Sequence, residues 1–215
     1  MSRKKLKRFA ELESFPNFFR YFNVGKGGGW ARKFYGNDRP LTIELCCGKG
    51  DLSLELARMF PERNVLGVDR KGDRIWSGAR RALDRGLGNA AFLQSDIEIL
   101  EGLLDPEQVE EIWITFPDPL PKRKQAKHRI LGTAFLQIYR TLLRPGGIIH
   151  LKTDAEDFLD QTLEGLQKEE VEIMLLKRNI YAEPLADPLL EIKTAFERKH
   201  LEAGRNIHYL AFKFR

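Results

Sequence analysis

From residue 41 onward the chain alternates short apolar runs with amphipathic stretches, and this alternation restricts the fold more than any other feature. "LTIELCC" is followed by "DLSLELARMF", where Leu52, Leu56 and Met59 recur at helical spacing. "NVLGVD" precedes "RIWSGARRALDRG", a helix ending at Gly86, and "AAFLQSD" precedes a short helix near 97–104. "EEIWITF", "ILGTAFLQIYRTLL", "GGIIHLKTD" and "AEDFLDQTLEGLQ" continue the pattern. "EIMLLKR" and "IHYLAFKF" then read as strands around a polar, proline-containing insertion. Strands separated by helices at this spacing predict a parallel sheet with crossover helices on both faces. Right-handed crossovers make it a doubly wound α/β sheet. Such sheets bind ligands at the carboxyl ends of their strands, so the residues just after each strand are the functional candidates.

Residues 1–39 read as a basic, glycine-rich N-terminal extension, and 40–215 as a single domain. "GKGGGW", residues 25–30, has four glycines in six positions and is expected to be a flexible linker loop. The rings of "FPNFFRYF" can pack on the domain or stack on bases, packing being the expected use. The 215 residues are enough to bury a core without cross-links. Cys46 and Cys47, the only cysteines, are adjacent, so they neither staple distant segments nor provide a metal site, and no metal is expected. No apolar run reaches membrane-spanning length, and the N-terminus lacks a signal peptide's apolar stretch. A cytoplasmic protein with no membrane partner is expected, as a monomer or homodimer.

The net charge is +5. It is concentrated in two blocks, Arg3, Lys4, Lys5, Lys7 and Arg8, then Lys122, Arg123, Lys124, Lys127 and Arg129. A charge run is usually a solvated face, but two blocks favour a polyanionic partner, nucleic acid first.

Acids stand at successive strand ends. In "ELCCGKGD", Gly48 and Gly50 allow a backbone to approach a ligand, while Ser53 makes the dinucleotide fingerprint imperfect. Asp69, 19 positions after Gly50, suits ribose hydroxyls in either NAD or S-adenosylmethionine. Glu44 lies inside the first strand, where a buried acid needs a partner such as a ligand ammonium. Asp96 ends the third strand, within reach of an adenine amino group. Such acids disfavour a chain of phosphates and suit the ammonium and sulfonium of S-adenosylmethionine. The competing reading makes them unrelated helix caps and surface acids. After the next strand, "TFPDPLPKRKQAKHRI" sets Asp118 between Pro117 and Pro119, ahead of the cations.

"IELCCGKGD", "VLGVD", "LQSD", "FPDPLPK", "LKTD" and "TAFERKHLEAG", in this order, resemble the bacterial tRNA (guanine-N7-)-methyltransferase family over about residues 40–215. The resemblance implies a class I methyltransferase fold, Rossmann-like, with a mostly parallel seven-stranded sheet and an antiparallel C-terminal strand. It implies methyl transfer from S-adenosylmethionine to the guanosine at variable-loop position 46 of tRNA. Carried over by position, Glu44, Asp69, Asp96 and Asp118 contact the methyl donor beside Gly48 and Gly50, and Asp118 is the active-site acid. Lys122, Asp154, Thr194, Ala195, Phe196 and Glu197 bind substrate, and Lys124, Gln125, Ala126, Lys127, His128 and Arg129 touch RNA. Three positions depart from the family pattern. Cys46 replaces the first glycine of the turn, Leu120 a tryptophan between prolines, and Ala195 a lysine. The rival readings are an NAD-linked oxidoreductase, a non-catalytic RNA-binding protein, and a methyltransferase with another substrate.

Overall fold

The computed structural model describes residues 3–120, 125, 129–185 and 187–215, with side chains from Leu6 onward. Eight strands form one sheet: β1 (Phe18–Arg20), β2 (Leu41–Leu45), β3 (Asn64–Asp69), β4 (Ala90–Gln94), β5 (Val109–Thr115), β6 (Leu143–Thr153), β7 (Val171–Lys177) and β8 (His208–Phe214). Their order is β1-β4-β3-β2-β5-β6-β8-β7. The chain winds outward from β2 through β3 and β4, then returns to place β5 on the other side of β2. The switch point therefore falls between β2 and β5. Of these strands only β8 runs against the rest, pairing antiparallel with both β6 and β7.

The helices are α1 (Arg3–Leu12), α2 (Gly29–Tyr35), α3 (Asp51–Met59), α4 (Gly72–Asp84), α5 (Thr133–Leu142), α6 (Glu156–Leu166) and α7 (Ala195–Glu202), with a 3-10 turn at Ile97–Gly102. Strand alternation divides the sheet into two cores. Leu41, Ile43 and Leu45 of β2 pack with Phe135, Tyr139 and Phe158 on the α5 and α6 face. Leu52, Leu56, Ile75 and Ala79 cover Phe92 and Trp113 on the opposite face. Thr42 and Glu44, at the alternate positions of β2, are turned toward the α3 layer and are buried there.

Two expectations about the first 40 residues change. The sheet has eight strands, not seven, because β1 adds to the edge in parallel with β4, Phe18 opposite Phe92. Burial of Leu12, Phe15 and Phe18, and a bond from Asn17 Nδ2 to Ala79 O (3.1 Å), hold it there. The aromatic run thus mainly packs; Tyr21 and Phe22 beyond it are exposed. The glycine-rich stretch is not a free linker. Gly28 N donates to Asp105 Oδ1 (2.9 Å), Trp30 Nε1 donates to Leu103 O (2.7 Å), and α2 starts at Gly29. A Cβ at 28 would come 2.2 Å from Gln108 Oε1, so a larger residue there would have to displace the Gln108 side chain.

Candidate active site

The turn between β2 and α3 lies on the rim at the switch point. Cys47 N donates to Val68 O (3.0 Å), tying the turn to β3. Gly48 and Gly50 have φ of 55° and 72°. At Gly50 a Cβ would meet the Phe92 ring at 2.6 Å, so both conformation and space demand glycine. Cys46 also sits at φ 60°. The first of the three departures therefore keeps a glycine-like backbone and bears the left-handed cost of about 1–2 kcal/mol.

Asp69 closes this turn from the end of β3. Its Oδ2 accepts from Gly48 N (3.0 Å) and its Oδ1 from Lys71 N (2.8 Å). A carboxylate offers about four acceptor positions, so these two bonds leave capacity for ligand hydroxyls. Asp96, beyond β4, is half exposed and pairs with Arg70 Nε at 2.7 Å. Asp118 is exposed. The Cys46 thiol registers the combined field. Its pKa is pushed up to about 12, chiefly by burial and then by Asp69, Asp118 and Glu44, with Arg74 opposing. Acids from two strand ends and one strand interior, 74 residues apart at the extremes, thus act on one turn.

Glu44 itself already has partners in the protein. Oε2 accepts from Ser53 N (2.8 Å) and Ser53 Oγ (2.5 Å), and Oε1 accepts from Thr115 Oγ1 (2.8 Å). Burial raises its pKa to about 7, against these hydrogen bonds. Ser53, the residue that spoils a dinucleotide fingerprint, is here the acid's hydrogen-bond partner.

The second wall of the rim comes from the FPDP segment and the start of α7. Phe116 and Leu120 bracket Pro117, Asp118 and Pro119, and both have positive φ, 48° and 45°. The Phe116 ring lies 5.2 Å from that of Phe196, which stacks on His200 at 4.1 Å. Asp51, at the first turn of α3, accepts from Ala195 N (2.8 Å) and Arg81 Nη2 (2.8 Å). The start of α3, the FPDP segment and the Thr-x-Phe-Glu segment therefore touch on one side of the rim.

Within that segment the four residues divide. Thr194 and Glu197 form a capping box at the start of α7: Glu197 N donates to Thr194 Oγ1 (3.1 Å), and Thr194 N to Glu197 Oε2 (3.4 Å). Glu197 is 0% exposed and lies 2.7 Å from Lys152 Nζ, itself 1% exposed. Tyr181 OH donates to Glu197 Oε1 (2.7 Å), and Lys152 also donates to Leu190 O (3.2 Å) and Ile192 O (3.1 Å). Ala195 and Phe196 face outward. Asp154 Oδ2 lies 2.7 Å from both His200 Nδ1 and Arg205 Nη1.

Of the expected RNA-contacting residues, Arg129 Nε donates to Leu120 O (3.2 Å), and Gln125 is partly buried. Lys122, Lys124, Ala126, Lys127 and His128 lie outside the described residues. Sequence reasoning passed over Asp51, Lys152 and His200. A lysine inside the apolar run "IIHLKT" was a legible signal of a buried ion pair; the other two carry no local cue.

The strand order, the glycine turn at the switch point and the acids after successive strands define a class I methyltransferase. A solved variant of the 16S rRNA (adenine(1408)-N(1))-methyltransferase from Catenulisporales acidiphilia, described with cosubstrate SAM, shares this fold with a TM-score of 0.60 at 15% identity, over 86% of this chain and 89% of that one. The family described as "Putative methyltransferase" matches residues 38–210. A tRNA (guanine-N(7)-)-methyltransferase of Christiangramia forsetii is 42% identical over 100% of this chain and 99% of its own, and one of Bacteroides thetaiotaomicron is 40% identical over 99% and 86%. The chain belongs to the bacterial tRNA (guanine-N7-)-methyltransferase family.

Proposed function

We propose that this protein transfers the methyl group of S-adenosylmethionine to N7 of guanosine in tRNA, at variable-loop position 46, forming 7-methylguanosine. The observation that carries this reading is the gathering of Asp69, Asp118 and Glu44 around Cys46, on the rim that the FPDP and Thr-x-Phe-Glu segments share. The negative field there suits a ligand bearing an ammonium and a sulfonium and repels a pyrophosphate, which disfavours the NAD reading. Gly48 and Gly50 let the ligand approach the backbone. Asp69 has free acceptor positions for ribose hydroxyls, and Asp96 accepts from the adenine amino group. Glu44 acts one step back, fixing Ser53 and Thr115 on either side of the turn.

S-adenosylmethionine supplies a methyl on a sulfonium: the free N7 lone pair forms a bond to the methyl carbon in line as the carbon–sulfur bond breaks, leaving a neutral thioether and a cationic purine. N7 carries no proton at neutral pH, so no side chain has to act as general base. The chain's work is positioning and electrostatics. Asp118 stands where the purine gains positive charge, and it favours the transition state over the ground state. Asp154, oriented by His200 and Arg205, presents acceptors to the guanine N1–H and amino edge. Phe196 and Ala195 offer the exposed surface at the mouth, while Thr194 and Glu197 hold that surface in place. Lys122 and the Lys124–Arg129 segment take phosphates, which set register without reading sequence.

The deciding experiment incubates the protein with labelled S-adenosylmethionine and unmodified tRNA, then maps the product by reduction and aniline cleavage. Scission at position 46 is expected. Label incorporated without scission there refutes the assigned position or atom.

A further inference from the structure

Two large aromatic side chains stand where folding has no use for them. β1 ends at Arg20, and Asn23 N donates to Arg20 O (2.9 Å), so Tyr21 and Phe22 are the two central residues of a tight turn. Such positions ordinarily carry glycine, proline, asparagine or aspartate. Tyr21 is 46% exposed and Phe22 62%, although Phe15 and Phe18 just before them are buried. Neither ring enters either core. The two meet edge to face with centroids 5.1 Å apart, so each braces the other while much of both stays in solvent.

The turn lies at the carboxyl rim of the sheet. β1 is parallel to β4, and Tyr21 N donates to Gln94 O (3.1 Å), which sets the turn beside Ser95 and Asp96 at the end of β4. Four strand spacings, roughly 19 Å at ~4.8 Å each, separate the ends of β1 and β5. Asp96, Asp69 and the glycine turn therefore lie between the aromatic turn and the FPDP segment. Cations gather on the aromatic side. α1 runs alongside α4 in the same direction, Phe9 against Gly72 and Glu11 against Trp76 and Arg80, so its amino end is at the rim. The first turn of α1 has no acid. Lys7 on α1, with Lys71 and Arg74 at the start of α4, is exposed, and none of the three has an ion-pair partner among the described residues. Asp73, beside them, is already engaged.

Exposed aromatic rings beside unpaired cations fit an unstacked nucleobase whose neighbouring phosphates the cations hold. Charge separates the two sources of such a base. S-adenosylmethionine is net positive and is drawn to the acids at the next strand ends, whereas Lys7, Lys71 and Arg74 attract a polyanion. We propose that Tyr21 and Phe22 form a stacking platform for an unpaired base of tRNA, across the donor site from the FPDP segment. The platform presupposes the tRNA substrate proposed above and adds a second point of attachment to it. Two separated anchors fix the angle at which the RNA crosses the rim, which a phosphate-binding block on one side does not do alone.

The test measures equilibrium binding of unmodified tRNA to the full chain, without donor, across a salt series. Tyr21→Ala with Phe22→Ala should weaken binding roughly 5- to 150-fold, the range for one stacked base. Its plot of log K against log salt should stay parallel to that of wild type, because no phosphate contact is lost. Tyr21→Trp with Phe22→Trp should keep wild-type affinity. Tyr21→Leu with Phe22→Leu, apolar but without a π face, should bind as weakly as the alanine variant. Isothermal titration with S-adenosylmethionine should match wild type in all three, which also reports that they are folded. Unchanged tRNA affinity in the alanine variant, a changed salt slope, rescue by leucine, or loss of donor affinity in place of tRNA affinity would each overturn the platform. Aniline mapping keeps its failure apart from that of the substrate reading. Scission at position 46 by wild type, with no binding defect in the alanine variant, removes the platform alone, whereas a wild type that binds no tRNA removes both.

Discussion

Replacing Lys152 by methionine tests how the start of α7 is held. Lys152 Nζ is enclosed by Glu197, Leu190 O and Ile192 O, and both members of the ion pair are buried. Methionine keeps the volume but strands a carboxylate and two carbonyls. Breaking a buried pair from one side costs roughly 3–5 kcal/mol. For a chain of this length that lowers Tm by roughly 6–20 °C, at about 2–4 °C per kcal/mol. Adding Glu197→Gln removes the stranded charge while keeping an acceptor for Tyr181 OH, so the double variant should recover at least half of the loss. The activity readout separates support from contact. If Glu197 acts only by holding α7, Glu197→Gln leaves kcat within a few-fold wherever the protein is folded. Differential scanning calorimetry and single-turnover methylation measure the two quantities. A Lys152→Met protein as stable as wild type, or a Glu197→Gln protein that is fully folded yet inactive, refutes the anchoring argument.

Asp118→Ala should lower turnover by roughly 10²–10³-fold, the scale for losing one preorganised electrostatic partner, with donor affinity changed only a few-fold; isothermal titration and rapid-quench assays check this, and wild-type rates would remove Asp118 from the chemistry. Cys46→Gly relieves the positive φ and should raise stability by about 1 kcal/mol, partly offset by glycine's chain entropy, as read by denaturant midpoint. Glu44 titrates near 7 in the folded chain against an ordinary 4.5, so the folded state holds the extra proton between those values. Stability from this group is therefore lost as pH rises through that window, by roughly 3 kcal/mol, and Glu44→Gln should remove that slope from a Tm–pH series. His150, lowered by burial to about 4, works the other way, its contribution being lost as pH falls from 6.5 toward 4. Lys124→Ala with Lys127→Ala should weaken tRNA binding and flatten the dependence of log K on log salt by roughly one for each phosphate no longer neutralised; an unchanged slope would take those lysines off the RNA.

Local pattern was enough to read the sheet, its crossovers, the glycine turn and the acids at its rim. Periodicity of two or 3.6 and a residue's place after a strand are properties of neighbouring positions. Those features therefore stood in the sequence at Leu41–Leu45, Gly48, Asp69 and Asp96. The same logic failed at Phe18–Arg20 and Gly28. There a strand and an ordered loop depend on partners 74 and 77 positions away, Phe92 and Asp105, that no local window contains. It also could not tell which acids face a ligand. Glu44 and Glu197 read as ligand contacts, and the tertiary structure adds protein partners that no local window shows, Ser53, Thr115, Lys152 and Tyr181. A carboxylate's role depends on whether its oxygens meet protein donors or open space. Sequence order therefore determined the scaffold and the kinds of chemical group at its rim, and packing between distant segments decided which of those groups remain available to do chemistry.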